Sequence, residues 1–254
     1  MLRLKNKKDI DKIRSSGKIL AETFEIIKEQ LKPGITTKDI DNISENYINK
    51  CKAKSAFKGY RPYPQIPAFP ASICISVNDE VIHGIPSTRI LKEGDIVSLD
   101  LGVNLDGYIS DAAITLPVGK ISEKNILLIK VTEECLYKGI EMSVIGNRVS
   151  DISKAIFTHA NNYNFGVVRD YCGHGVGFDL HEQPSIPNYI ANGSSPRLKA
   201  GMVFAIEPMI NIGGDKIIIL NDKWTVKTAD HSNSAHFEHT VAVLEDKTEI
   251  LTCL

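Results

Sequence analysis

The stretch His83-Gly84-Ile85-Pro86-Ser87, followed by Leu91-Lys92-Glu93-Gly94-Asp95-Ile96-Val97-Ser98-Leu99-Asp100, has an echo later in the chain. The echo is His181-Glu182-Gln183-Pro184-Ser185, followed by Leu198-Lys199-Ala200-Gly201-Met202-Val203-Phe204-Ala205-Ile206-Glu207. An earlier pair keeps the order: Gly34-Ile-Thr-Thr-Lys-Asp39-Ile40 against Gly146-Asn-Arg-Val-Ser-Asp151-Ile152. The copies are offset by 98 residues at His83/His181, 107 at Asp100/Glu207 and 112 at Gly34/Gly146, so they are collinear with insertions and deletions between. Two copies of this length are too long for solenoid units. They predict one fold duplicated about an approximate internal two-fold, a single domain over 1–254 with halves at roughly 8–118 and 122–250. Each copy ends in an acid, and acids repeated in both halves meet near such an axis.

Outward from these phrases, each half reads helix, helix, strands. Ile10, Ile13, Gly17, Leu20, Phe24, Ile27 and Leu31 step by three and four, one stripe of a helix that Pro33-Gly34 ends. Thr37 is placed to cap a second helix carrying Ile40, Ile43 and Tyr47 inward. The second half predicts a helix near Glu123 to Glu141, a break at Gly146, and a helix from about Ser150 carrying Ile152, Ile156 and Ala160. Apolar runs from Ile73 to Val77 and from Asp95 to Leu101 predict strands. The turn Asn104-Leu-Asp106-Gly107 then pairs the second run with Tyr108 to Leu116 as a hairpin. If the loop centres between Leu105 and Asp106, Asp100 and Asp111 are directly opposed; if it is Asp106-Gly107, they are diagonal. Either register puts both acids on one face, with Cβ atoms roughly 4.5 to 8 Å apart. In the second copy a strand ends at Glu207, a hairpin runs through Gly213-Gly214 to Ile217-Ile-Ile-Leu220, and a late strand covers Ala235 to Val243. Along that late strand Glu238 shares a face with His236 and Thr240.

The composition sets limits. A chain of 254 residues, 43% apolar, is long enough to bury roughly 70 to 75% of the surface its unfolded form exposes. A net charge of −1 argues against a general polyanion binder. The basic excess in Lys50-Cys-Lys-Ala-Lys54 and Lys58 reads as a solvated helix face, ahead of a docking face for RNA or a ribosome. Five cysteines, odd in number, widely spaced and without a C-x-x-C pair, suggest neither a disulfide frame nor a zinc knuckle and fit a reducing cytoplasm. The charged stretch Met1 to Lys8 has no apolar run behind it, and no run approaches the ~20 residues of a membrane span. The expectation is a cytoplasmic protein with no membrane partner.

Two strand acids facing each other repel unless a proton or a cation sits between them. Here they lie inside apolar strands in both copies, Val97-Ser-Leu-Asp100-Leu and Phe204-Ala-Ile-Glu207-Pro, which favours a cation over an accident of the surface. Four carboxylates and a histidine suit a pair of hard-to-borderline divalent ions. Among the histidines, His174 lies between Gly173 and Gly175, where the backbone can come close to an ion or substrate. His83 and His181 sit in loops ahead of the acid strands, whereas His159 and His231 read as structural or surface residues.

With those residues in hand, the chain strongly resembles a type I methionine aminopeptidase, the short form without an N-terminal zinc-finger extension. The resemblance runs from about Asp9 to Leu251 and rests on motifs that occur in order. They are Ser76-Val-Asn78-Asp-Glu-Val-Ile-His83-Gly-Ile-Pro86, Gly94-Asp-Ile-Val-Ser-Leu-Asp100, Gly107-Tyr-Ile-Ser-Asp111, Gly173-His174-Gly175-Val-Gly177, Glu207-Pro208 and Ser234-Ala-His-Phe-Glu238-His-Thr240. The implied architecture is the α+β pita-bread fold of creatinases and aminopeptidases: two pseudo-symmetric halves, antiparallel strands surrounded by helices, around a dinuclear metal site. Asp100, Asp111, His174, Glu207 and Glu238 match the family's metal ligands, for two divalent ions among Co, Mn, Fe and Zn. Glu207 also matches the carboxylate that shuttles a proton from the attacking water. His181 would polarise the scissile carbonyl, and His83 would steady the amide nitrogen or the intermediate.

The resemblance implies a methionine pocket of Tyr60, Tyr63, Cys74 and Trp224. It implies removal of the initiator methionine from nascent chains with a small second residue, by a monomer in transient contact with the ribosome. It implies no specific DNA partner. Three departures stand out: Leu180, where Phe is frequent in the family; His236, where Gln is frequent; and Arg61 to Pro70, longer than the family's Tyr-to-Cys connection. The rival readings are a proline-specific peptidase, which usually carries an extra N-terminal domain, a catalytically dead RNA- or ribosome-binding relative, and a two-metal phosphoesterase. The dead relative would have lost ligands, all five of which are present here, and no phosphate-cradling G-x-x-x-x-G-K-S/T loop occurs.

Overall fold

In the computed structural model, which describes residues 2–191, 193 and 195–254, the chain enters its first helix through a reciprocal cap. Met1, at the head of the charged N-terminal stretch, lies outside these residues. The Asn6 side chain accepts from the Asp9 N–H at 3.1 Å, and the Asp9 carboxylate accepts from the Asn6 N–H at 3.0 Å, which starts α1 (Lys7–Gln30). The expected stripe of Ile10, Ile13, Leu20, Phe24 and Ile27 is buried. Helix α2 (Thr37–Lys50) is capped by Thr36 rather than by Thr37. Thr36 closes the capping box with Asp39, while the Thr37 hydroxyl accepts from the Ser87 N–H at 2.8 Å and ties the helix to the loop after His83.

The first half continues with β1 (Lys54–Ser55), β2 (Cys74–Val77), β3 (Glu80–Ile82), β4 (Ile96–Leu105) and β5 (Tyr108–Pro117). The second half has α3 (Glu123–Glu141), α4 (Val149–Asn161), β6 (Gly166–Val167), β7 (Gly173–Gly175), β8 (Glu182–Ile186) and β9 (Val203–Ile206). After these come β10 (Met209–Asn211), β11 (Ile217–Ile219), β12 (Val226–Thr228), β13 (Ser234–His236), β14 (Glu238–Val243) and β15 (Thr248–Ile250).

One sheet carries the site. Its order is β1-β4-β5-β14-β9-β7-β8, with β2 also on β4 and β15 also on β14. The centre, β4-β5-β14-β9, places the acid hairpin of the first half beside its counterpart from the second, and the halves meet where β5 pairs β14. Two three-stranded sheets, β13-β10-β6 and β11-β12-β3, complete the strands. The expected hairpin through Gly213-Gly214 is absent, because β11 pairs β12 whereas β10 pairs β13 and β6. The reason lies in partners distant along the chain: Ser232 accepts the Gly213 N–H at 3.0 Å and Asp230 accepts the Gly214 N–H at 2.8 Å, so these amides do not close a two-stranded turn. The late strand likewise divides at Phe237 into β13 and β14, which belong to different sheets.

Apolar packing follows the halves. Leu20, Phe24 and Ile40 of the first two helices pack with Ile75, Val97 and Leu99 of β2 and β4. Leu128, Val131, Ile152 and Ile156 of α3 and α4 pack with Phe204, Ile206 and Val241. A third cluster takes Phe69 and Cys74 from the first half and Leu180 and Trp224 from the second, and forms the wall of the cavity described next. Among the described residues no helix is long and apolar enough to cross a membrane.

Candidate active site

Register builds the site. The hairpin loop is Asp106-Gly107, with Leu105 opposite Tyr108, which is the diagonal alternative. Asp100 therefore faces Ala113 and Asp111 faces Gly102. Ala113 in turn pairs Glu238 at the seam, so Asp100, Ala113 and Glu238 form one row across β4, β5 and β14. His239 pairs Ile206, and one step beyond that pair Glu207 comes level with Glu238. Because side chains alternate, these relations put all four acids on one face.

His174 is supplied by β7, whose flanking glycines are required by close backbone. A Cβ on Gly173 would lie 2.4 Å from the Ala205 oxygen, and one on Gly175 would lie 2.3 Å from the Gln183 oxygen. The strand thus sits low enough for His174 Nε2 to reach 3.5 Å from a Glu207 oxygen and 3.9 Å from an Asp111 oxygen. Atoms of Asp111, His174 and Glu238 all lie within 4.8 Å of one another. All five residues expected as metal ligands line one cavity of about 1160 Å³.

The four acids are buried, and no Lys or Arg forms an ion pair with them among the described residues. Burial pushes the Asp100 carboxyl up to about 7. Burial and then the charges of Asp100 and Glu207 hold Asp111 well above the usual carboxylate range. Glu207 is raised by burial and by Asp100, and Glu238 by burial and by Asp111, Glu207 and Asp100. Asp100 Oδ1, Asp111 Oδ1 and Glu238 Oε1 are buried without a hydrogen-bond partner. Burial holds His174 neutral, its pKa down to about 3. A cluster of mutually repelling carboxylates, three orphaned oxygens and a neutral imidazole lacks only positive charge, and a divalent cation fits that donor set.

The remaining candidates stand around this cluster. His181 Nδ1 is 2.8 Å from the Tyr60 hydroxyl, and its ring is 4.2 Å from the His174 ring. His83 has φ 59°, an uncommon conformation for a residue with a Cβ, and its ring meets Tyr171 and Trp224 edge-on. Burial lowers the His83 pKa to about 4 and lowers that of His181, so both present neutral rings. Cys74 pairs Asp100 across β2 and β4, and burial together with that acid keeps its thiol protonated. Trp224 donates its indole N–H to the Pro67 carbonyl at 2.9 Å. Tyr63 lines the cavity too, but at its exposed rim, 63% accessible, whereas Phe69 is buried against Trp224.

His159 pairs with Glu134 away from the cavity, and His231 is exposed. His236 is buried, with Nε2 at 3.8 Å from Glu207 and 4.0 Å from Glu238. Sequence reasoning passed over Phe69, Tyr171 and Asn188, whose side-chain amide donates to the Glu207 carbonyl at 2.9 Å. It also assigned no role to Thr240. That hydroxyl accepts the Asp111 N–H at 2.9 Å and donates to the Asp111 carbonyl at 2.7 Å, bracing the acid across the seam. The two-residue alternation of Glu238 and Thr240 was the available signal.

A model of metallopeptidase family M24 matches residues 11–245. The chain is 50% identical to a methionine aminopeptidase of Clostridium perfringens, over 100% of both chains. It is also 50% identical to methionine aminopeptidase 1 of Bacillus subtilis, over 99% of both. Among solved structures, a methionine aminopeptidase from Rickettsia prowazekii superposes with a TM-score of 0.95 at 43% identity, covering 99% of this chain and 100% of that one. This likeness carries the pita-bread architecture, and the family together with the Asp111-His174-Glu238 group makes the chain a divalent-metal hydrolase. The chain belongs to metallopeptidase family M24 and, within it, to the methionine aminopeptidases.

Proposed function

We propose that this aminopeptidase removes the N-terminal methionine from new polypeptides whose second residue is small. The observation that carries the reading is the intact donor set on the cavity floor, Asp100, Asp111, His174, Glu207 and Glu238, flanked by the neutral imidazoles of His83 and His181. These five residues would hold two divalent ions, drawn from Mn, Fe, Co and Zn according to supply. When bound, such ions supply Lewis acidity, which brings a water's pKa toward neutrality and offsets charge developing on the scissile carbonyl.

The chain's own groups do the rest. Glu207 in its carboxylate form, its proton affinity raised by burial, takes a proton from the attacking water and returns it to the leaving amine. With the Tyr60 hydroxyl donating to His181 Nδ1, 2.8 Å away, the ring proton sits on Nε2, free to be directed at the substrate carbonyl. His83, held in its strained backbone conformation between Tyr171 and Trp224, steadies the amide nitrogen. Tyr60, Phe69, Cys74 and Trp224 form an apolar, thiol-lined recess for a thioether side chain, with Leu180 as its neighbour and Tyr63 at the rim. The protonated Cys74 thiol suits a packing role and not a nucleophile's.

We read the whole chain as one catalytic domain built from the two halves, active as a monomer in the cytoplasm and in transient contact with the ribosome. Five free cysteines support the reducing compartment. The direct test is Asp111→Asn, which keeps the side chain's volume and removes its charge. Methionine release from Met-Ala-Ser should fall at least ~10³-fold while circular dichroism stays native. Full activity in that variant would remove the metal mechanism.

A further inference from the structure

One segment lining the cavity has no part in the metal site and touches the methionine recess only at its rim, through Tyr63. Residues 61–68 form a loop pinched at its base, where Phe69 donates its N–H to the Tyr60 carbonyl and Gly59 donates to the Phe69 carbonyl, both at 2.9 Å. Pro62, Pro64 and Pro67 stiffen it, and Ile66 closes an internal turn by donating to the Tyr63 carbonyl at 3.0 Å. Its far end is tied to the other half of the molecule by the Trp224 indole on Pro67. The loop is therefore anchored at both ends, and it holds two apolar side chains in fixed relation to the cavity. Ile66 is half-buried against the wall cluster, and Tyr63 stands at the rim, 63% exposed.

The second half contributes lining as well. Ile219 of β11, 55% exposed, and Lys223 line the same cavity. The volume of about 1160 Å³ exceeds the several hundred Å³ that a small-molecule site needs, so one methionyl residue leaves much of it unfilled. The topology of the reaction assigns the surplus. On the reading proposed above, the scissile bond lies beside His83, half-buried, and His181, exposed within the cavity, so the peptide that follows it leaves through the open side. Of the cavity's lining, Tyr63 and Ile219 are exposed and Ile66 is half-buried, so these are the apolar side chains available to it.

Resting on the function proposed above, we infer that the 61–68 loop and β11 form an apolar subsite for the third and fourth residues of the substrate, with Tyr63 as its principal contact. Selection there favours large apolar side chains downstream of the small second residue. Rigid anchoring matters because a pre-formed contact needs little ordering when the peptide arrives. The loop thus extends specificity past the bond that is cut.

The test compares two hexapeptides of equal length, Met-Ala-Phe-Leu-Ser-Ser and Met-Ala-Gly-Gly-Ser-Ser, with metal-loaded wild type, Tyr63→Ala and Tyr63→Phe. The wild type should prefer the Phe-Leu peptide in kcat/KM by about fivefold, as expected for partial burial of one aromatic contact. Tyr63→Ala should bring the ratio below about twofold, and Tyr63→Phe should keep it. Because the readout is a ratio, a general loss of activity does not imitate the effect. Binding of both peptides, followed by fluorescence of Trp224, the chain's only tryptophan, should show the same preference without turnover. Equal handling of the two peptides by the wild type, or an unchanged ratio in Tyr63→Ala, would overturn the subsite while leaving methionine release in place. If no peptide loses methionine, the proposed function fails instead, and the binding preference alone decides the subsite.

Discussion

At the scale of the residue, the site is held together by charges that need each other's company only when a cation is present. Asp100, Asp111, Glu207 and Glu238 all bind protons more tightly in the folded chain than free in water, chiefly because they are buried. An acid raised in this way stabilises the fold below its unfolded pKa, near ~4, and that contribution is lost as pH rises through its folded value. For Asp100 that folded value is about 7. The metal-free protein should therefore lose thermal stability between pH 5 and pH 8 by roughly several degrees. A bound cation displaces these protons, so its own stabilising effect should grow over the same interval. Melting curves with and without Mn(II) at a series of pH values check both signs; a metal-free protein that gains stability with pH would contradict this account of the acids. Tyr60→Phe removes the hydroxyl at 2.8 Å from His181 Nδ1 and should lower kcat about tenfold with KM nearly unchanged. A pure rise in KM would instead place Tyr60 in side-chain recognition alone.

At the scale of the element, backbone proximity decides more than propensity does. Gly175→Ala would drive a Cβ to 2.3 Å from the Gln183 carbonyl, so β7 must shift and carry His174 with it. The expected result is a loss of ~2 kcal/mol or more together with weakened metal binding, measured by denaturant unfolding and by calorimetric titration. Wild-type values for both would show that β7 can move without consequence. Removing the cap of α2 by Thr36→Ala should cost about 1 kcal/mol. The sequence invited the wrong threonine because two stand side by side, yet Asp39 lies three residues after Thr36, and that spacing is the capping-box signal. The β4–β5 hairpin was legible down to two registers, since Asp106-Gly107 marks a tight turn and alternation fixes the acid face under either. The hairpin expected at Gly213-Gly214 misled because its amides are taken by Asp230 and Ser232, remote in sequence and without any local signature.

At the scale of the whole molecule, the central order β4-β5-β14-β9 sets the acid strands of the two repeated phrases in one sheet. Asp100 on β4 has its counterpart in Glu207 after β9, the same pair that the repeated phrases align, and Asp111 on β5 has its counterpart in Glu238 on β14. That the five proposed donor residues would line one cavity was legible because they sit in repeated or motif-bearing strands. Phe69 and the course of the 61–68 loop were not, because a proline-rich connection has no periodicity and its packing against Trp224 depends on the other half. The same meeting of halves makes the cavity, so substrate recognition belongs to the assembled molecule and to neither half alone. The central claim is that this cavity holds a metal-dependent methionine aminopeptidase. Its most direct test is hydrolysis of Met-Ala-Ser beside Met-Leu-Ser, Leu-Ala-Ser and Ala-Pro peptides, by metal-stripped protein with and without added Mn or Co. The account predicts metal-dependent release of methionine from Met-Ala-Ser and little from the others; preference for Ala-Pro, or no cleavage with any metal, would contradict it.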